Sequence, residues 1–139
     1  MKIEIIDFGY KKFPLRAHYN DAGADVYVDL KALDFIAVPP NNTVKIPLGF
    51  GLKIPDGMAA FVFPRSGLST RGIVCELPPI DSGYRGEIHA IVTNCSNTQF
   101  EIYNGDRIGQ LVILPIIIPE FVSEINKTRG DHGFGSTGI

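Results

Sequence analysis

Short runs rich in Val, Ile, Phe and Tyr recur between turn residues along the chain, and apolar positions at helical spacing are almost absent. That pattern predicts strands over residues 2–7, 24–30, 35–38, 43–48, 50–54 and 58–63, set off by Asn20-Asp21, Pro39-Pro40-Asn41-Asn42 and Pro55-Asp56-Gly57. Residues 87–93 alternate, with Ile88, Ala90 and Val92 on one face and Glu87, His89 and Thr93 on the other, as a half-buried strand requires. A neighbouring strand, 98–103, is expected to pair with it across the turn at 94–97. A long apolar run at 108–118 is broken by Pro115, which has no N–H to give a ladder, so the strand should change sheet or leave the domain there, within reach of a neighbouring subunit. The fold class predicted is all-β, a sandwich or barrel.

Composition narrows the picture. A chain of 139 residues, 45% hydrophobic, supports one ordinary domain over 1–139, with about 1–122 as β core and 123–139 as a glycine-rich carboxy-terminal arm. Thirteen Lys+Arg against 15 Asp+Glu lack the basic surplus of non-specific nucleic-acid binding, so a highly charged ligand must be held locally and no nucleic-acid partner is expected. Residues 1–8 lack a signal-peptide core and no run approaches membrane-spanning length, which predicts a soluble, cytoplasmic protein with no membrane partner. Cys75 and Cys95 form no CxxC and read as reduced thiols; His18, His89 and His132 are scattered and read as surface or strand histidines.

Three segments carry candidate chemistry. Pro64-Arg65-Ser66-Gly67-Leu68 sets a cation, a hydroxyl and a glycine where a strand gives way to a short helical turn, parts that suit phosphate oxygens; the plainer reading makes Arg65 a structural ion-pair partner. In Ile80-Asp81-Ser82-Gly83-Tyr84, Asp81 is either a turn aspartate bonded to its own backbone or a carboxylate that takes a proton from water, with the Tyr84 ring against a sugar. Arg129-Gly130-Asp131-His132-Gly133-Phe134-Gly135-Ser136-Thr137-Gly138 is either a solvated tail or a mobile lid, in which Phe134 covers a base and Arg129, Ser136 and Thr137 close on a phosphate. There is no GxxxxGK[ST], so P-loop chemistry is excluded.

In chain order, Ala22-Gly23-Ala24-Asp25-Val26, Pro64 to Leu68, Ile80 to Glu87, Gly105-Asp106-Arg107-Ile108-Gly109-Gln110-Leu111 and Arg129 to Gly138 resemble the five motifs of the trimeric dUTPase family. The resemblance implies a jelly-roll-like subunit in a homotrimer with carboxy-terminal strand exchange. Each site would draw on three chains: the first, second and fourth motifs from one, the third from another, and a flexible glycine-rich lid from the last. It implies hydrolysis of dUTP to dUMP and pyrophosphate, which keeps uracil out of DNA and supplies dUMP for dTMP synthesis.

By the same resemblance, Asp81 is the base for the attacking water and Gln110 a polar group near the α-phosphate. Ile80 and Tyr84 bind substrate, with Tyr84 packed against the deoxyribose and leaving no room for a 2′-hydroxyl. Ser66 and Gly67 bind phosphate beside a more structural Arg65. Arg129 clamps the γ-phosphate, Phe134 lies over uracil, and Gly135, Ser136 and Thr137 finish the seal. Asp25 touches Mg2+ through water, the ion being held mainly by the triphosphate. The stretch between Ser66 and Asp81 is shorter than the family pattern, with Pro78 where a glycine is usual, so the uracil-reading contacts at 75–79 are left unassigned.

Two rivals remain. The dCTP deaminases share the fold and an Ile-Asp-x-Gly segment, but need a glutamate where this chain has Ile91. A regulatory binding module would keep the fold and drop the catalytic set, whereas Asp81, Asp25, Arg129 and Phe134 are all present.

Overall fold

The computed structural model describes residues 1–124. Ten strands and one helical turn follow in the order β1 (Glu4–Asp7), β2 (Ala24–Tyr27), β3 (Phe35–Val38), β4 (Thr43–Pro47), β5 (Phe50–Lys53), β6 (Met58–Pro64), α1 (Ser66–Ser69), β7 (Ile73–Glu76), β8 (His89–Asn94), β9 (Phe100–Tyr103) and β10 (Arg107–Pro115). All pairings are antiparallel, in four small sheets: β1-β5, β2-β10-β6, β3-β9 and β4-β8-β7. Three of the pairs nest: β2 with β10, β3 with β9, β4 with β8. A long hairpin rolled up on itself gives this order, which is the jelly-roll arrangement.

Alternation along the strands buries one face of each. The tightest part of the core is Phe50, Ile46, Leu48, Ile88, Ile102, Ile108, Val26, Val28, Val38 and Val92, all fully enclosed. In and just before β8, Ile88, Ala90 and Val92 point inward and His89, Ile91 and Thr93 are half-buried on the other face, as the alternation predicted.

Two features differ from the sequence expectation. Residues 98–103 do not pair with β8; β9 pairs with β3, because both edges of β8 are already taken by β4 and β7. The turn is built for that crossing. The buried Asn94 amide donates to the Val38 and Thr98 carbonyls at 2.8 Å each, and its Oδ1 receives Ser96 N and Oγ at 3.0 and 2.7 Å. The side chain thereby ties the connection to the end of β3 rather than folding it back on β8. The second difference is β7, four residues between Gly72 and Leu77 that show no alternation a sequence reading can use.

The strand predicted over 24–30 stops at Tyr27, yet its remainder stays inside: Val28 N bonds Asp106 O, Asp29 N bonds Pro47 O, and Leu30 N bonds the Asn104 side chain. At the other end β10 finishes at Pro115, one further bond joins Ile116 N to Gly57 O, and the chain leaves the sheets. Beyond it Ile117, Ile118, Phe121 and Val122 are exposed. Among the described residues no helix is long and apolar enough to cross a membrane.

Candidate active site

The ends of β2, β6 and β10 meet at one cluster. Gln110 stands opposite Asp25 on one side and Phe63 on the other, and its Nε2 donates to the Pro64 carbonyl at 3.3 Å. Gly23 is required here: a Cβ would overlap the Gln110 carboxamide oxygen and come within 2.9 Å of the Gln110 Cβ. A bulge between Arg107 and Gly109 swings Arg107 back over β2, where its guanidinium meets Asp25 at 3.2 Å. Arg65 donates to the Arg107 carbonyl at 3.1 Å, a structural contact. Ser66 and Gly67 then start α1, both exposed, with no side chain capping its start. A Cβ on Gly67 would meet nothing within 4 Å, so packing within the chain does not demand glycine; the open space suits a ligand or another chain that approaches the backbone.

Asp81 and Tyr84 stand elsewhere. Ile80 forms a two-way bridge with Ala60, and the next residues line a pocket of about 180 Å³ with Lys45, Glu76, Pro78, Pro79 and His89. It is the Asp81 carbonyl that accepts Tyr84 N to close the turn, at 3.1 Å; the carboxylate is left exposed at the pocket. Tyr84 is fixed at its far end, where its hydroxyl donates to the Glu87 carbonyl at 2.7 Å, leaving the ring 43% exposed.

An ion cluster that sequence reasoning missed braces this loop. The Glu87 carboxylate receives Gly49 N and Lys31 Nζ, both at 2.8 Å, and Lys31 Nζ also reaches the buried Asp29 at 2.7 Å. Burial pulls the Lys31 ammonium toward neutrality, but the bonds to Asp29 and Glu87 outweigh it and its pKa lies above the ordinary lysine value. Lys31 also adopts a left-handed φ of 60°, a conformation a non-glycine residue holds only when its surroundings insist. The available signal was Asp29, a second carboxylate, besides Asp25, within the predicted strand 24–30.

The two clusters are apart within one chain. Ile80 is bridged to Ala60 near the start of β6 and Gln110 lies opposite Phe63 near its end, next to Pro64, so about 13 Å of strand, four residues at ~3.3 Å, separates Ala60 from Pro64. The sequence-predicted Asp25, Arg65, Ser66, Gly67 and Gln110 are thus brought together, and so are Ile80, Asp81 and Tyr84, but not the one set with the other. Arg129, Phe134, Gly135, Ser136 and Thr137 lie outside the described residues. Among the described residues no three His, Cys, Asp or Glu side chains are grouped to hold a metal. The thiols are free; burial pushes Cys75 up to about 11, while Cys95 is exposed.

Nested antiparallel pairing, with two polar clusters at different points along β6, defines a jelly-roll chain. The family model for dUTPase matches residues 10–138, and the chain belongs to the dUTPase family. It is 43% identical over 137 residues to the deoxyuridine 5'-triphosphate nucleotidohydrolase of Gamma-proteobacterium EBAC31A08, covering 92% of this chain and 97% of that one. The enzyme of the same name from Desulfitobacterium hafniense (strain DSM 10664 / DCB-2) is 40% identical over 148 residues, covering 100% and 97%. Among solved structures, the Staphylococcus bacteriophage 80alpha dUTPase with dUPNHPP superposes with a TM-score of 0.80 at 26% identity, over 99% of both chains. A variant of the phage phi11 dUTPase of S. aureus, solved with a structural Mg(II) ion, gives 0.78 at 24% identity, covering 89% of this chain and 98% of that one.

Proposed function

We propose that this chain hydrolyses dUTP to dUMP and pyrophosphate in sites shared between copies of a homotrimer, keeping uracil out of DNA and supplying dUMP for dTMP synthesis. The carrying observation is the separation along β6: the Asp81 loop is bridged at Ala60 and the Gln110 cluster sits at Pro64, ~13 Å of strand further on, so the two stand apart within one chain, whereas a threefold ring would set one copy's pocket against the next copy's strand ends. The exposed Ile117, Ile118, Phe121 and Val122 are apolar surface for the strand that would cross between copies.

In this reading Asp81 accepts a proton from a water whose oxygen attacks the α-phosphorus. The bond from that phosphorus to the bridging oxygen breaks, and pyrophosphate leaves. Gln110, Ser66 and Gly67 of a second copy hold the α- and β-phosphates, and Tyr84, its hydroxyl already committed to the Glu87 carbonyl, packs its ring on the deoxyribose and excludes a 2′-hydroxyl. Arg129, Phe134, Gly135, Ser136 and Thr137 of the third copy close over phosphate and base. The donor set near the phosphates is one carboxylate, Asp25, already paired with Arg107, which fits an outer contact through water and not a cage. Mg2+ bound with the triphosphate supplies charge neutralisation to the leaving group. Ile91, half-buried on β8, offers no proton-transfer group for a deaminase.

A panel of nucleoside triphosphates with Mg2+, read by pyrophosphate release, tests the reaction; dUTP should lead by a wide margin. Mixing Asp81→Asn chains with Ser66→Ala/Gln110→Ala chains after co-refolding tests the shared site. Random trimers should regain about a quarter of full activity, because an intact Asp81 and an intact phosphate cluster then meet in one site in four. No recovery in mixed trimers would overturn the shared site.

A further inference from the structure

The segment facing the base pocket poses a chemical problem. Pro78 and Pro79 line it and neither has an N–H, so that stretch cannot donate to a base through its own amides at those positions. The outer face of the β4-β8-β7 sheet lines the same pocket. In register, Lys45 and Glu76 both stand opposite Ile91, and His89, two residues before Ile91, shares their face. His89 is half-buried, and its Nδ1 lies 3.0 Å from the Glu87 carbonyl. A carbonyl only accepts, so Nδ1 carries the proton, and in the neutral ring Nε2 is an acceptor.

Uracil presents an N3–H donor flanked by two carbonyl oxygens; cytosine presents a bare N3 beside an amino group. Resting on the proposed reading of the Asp81–Tyr84 pocket as the nucleoside site, we propose that His89 and Lys45 read the pyrimidine edge, Nε2 accepting N3–H and the Lys45 ammonium donating to the O4 carbonyl oxygen, which cytosine replaces with its amino group. Against cytosine both contacts turn repulsive, lone pair to lone pair and donor to donor, which excludes dCTP. The Glu87 carbonyl holds the tautomer that makes the first contact possible, and Glu87 is itself held by Lys31 and Gly49 N.

The charged and titratable groups around His89 are Lys45 from β4, Glu76 from β7, Glu87 and Lys31 from the brace, and Asp81 and Tyr84 across the pocket. Burial is the largest influence and lowers the ring's pKa below the ordinary 6.5, with the Glu87 carbonyl bond opposing it and Lys45 adding to it. The ring is therefore neutral at pH 7. On acidification Nε2 gains a proton and becomes a donor, which suits the bare N3 of cytosine.

The measurement is the ratio of kcat/KM for dUTP over dCTP, as a function of pH, in the unaltered protein, His89→Val, His89→Gln and Lys45→Met. Effects of pH on the chemical step are common to both substrates and cancel in the ratio. His89→Val should lower the ratio about 10- to 100-fold near pH 7.5, mostly through KM for dUTP, His89→Gln should restore part of it through its amide oxygen, and Lys45→Met should lower it about tenfold. In the unaltered protein the ratio should fall as the pH drops below about 6.5, and in His89→Val it should stay flat. A ratio that neither His89→Val nor acid changes sinks this inference while dUTP hydrolysis stands. Absence of pyrophosphate release from every deoxynucleoside triphosphate sinks the function reading beneath it instead. If His89→Val does not fold, the pH dependence of the unaltered protein decides.

Discussion

The two clusters of this molecule are held in place by different physics. At the strand ends, Asp25, Gln110 and Arg107 take their positions from a hydrogen-bonded ladder, a bulge, and a glycine, Gly23, that leaves just enough room for one carboxamide. At the pocket, Asp81 and Tyr84 stand on a loop with one bridge to β6 and no strand of its own, held by the Tyr84 hydroxyl and by the Asp29–Lys31–Glu87 ions. A ladder fixes a side chain by register and tolerates little adjustment. A loop braced by ions can shift at small cost, which suits a half that admits base and sugar in the proposed reading. In that reading the rigid half would grip phosphates, whose shape does not vary among nucleotides, and the braced half would discriminate among them.

The largest effect that can break this comparison is at the base. Asp81→Asn should preserve the fold and dUMP affinity, since the carboxylate makes no structural bond among the described residues, while turnover of dUTP falls about 10²- to 10⁴-fold. Pyrophosphate release at the unaltered rate would remove Asp81 from its role.

A smaller effect tests the rigid half alone. Gly23→Ala drives a methyl into Gln110, which must turn and give up its bond to the Pro64 carbonyl. Because the displaced group belongs to the phosphate side, kcat/KM for dUTP should fall about 10- to 100-fold with affinity for the phosphate-free nucleoside deoxyuridine nearly unchanged. Equal losses for dUTP and deoxyuridine would show that the two halves do not divide the substrate in this way.

Legibility in the sequence follows the same division. Strand positions were readable wherever one face is buried: the alternation of Ile88, Ala90 and Val92 against His89 and Thr93 is visible without coordinates, and so is the end of β10 at Pro115. Pairing was not readable where a buried polar side chain overrides the local signal. Residues 94–97 look like a hairpin turn, but both edges of β8 are taken and the Asn94 amide, bonded to Val38 and Thr98, ties the connection to β3 instead. Asp25 and Gln110 belong to two separated short motifs, and the register of β2 against β10 sets them opposite each other. The brace was invisible because Lys31 and Glu87 are 56 positions apart and no local pattern joins them.

The smallest effect concerns that brace. Lys31→Met removes the cation shared by two carboxylates and leaves each with one backbone N–H, Gly49 N on Glu87 and the N–H of residue 31 on Asp29. Its side chain is 50% exposed, so solvent screens the pair and the loss should be about 1 kcal/mol in urea unfolding, not the several expected of an enclosed pair. The sign of the pH dependence follows from the raised pKa. Lysine that is easier to protonate in the folded state stabilises it fully below the ordinary value of 10.5, and that contribution disappears as the pH climbs through the higher folded value. The gap between the unaltered protein and Lys31→Met should therefore be constant from pH 6 to 9, within about 0.3 kcal/mol, and close above about pH 10.5. A gap that persists undiminished into strong alkali would mean that Lys31 acts through its packed methylenes or its left-handed backbone, and the braced half of the site would then be held by shape rather than by charge.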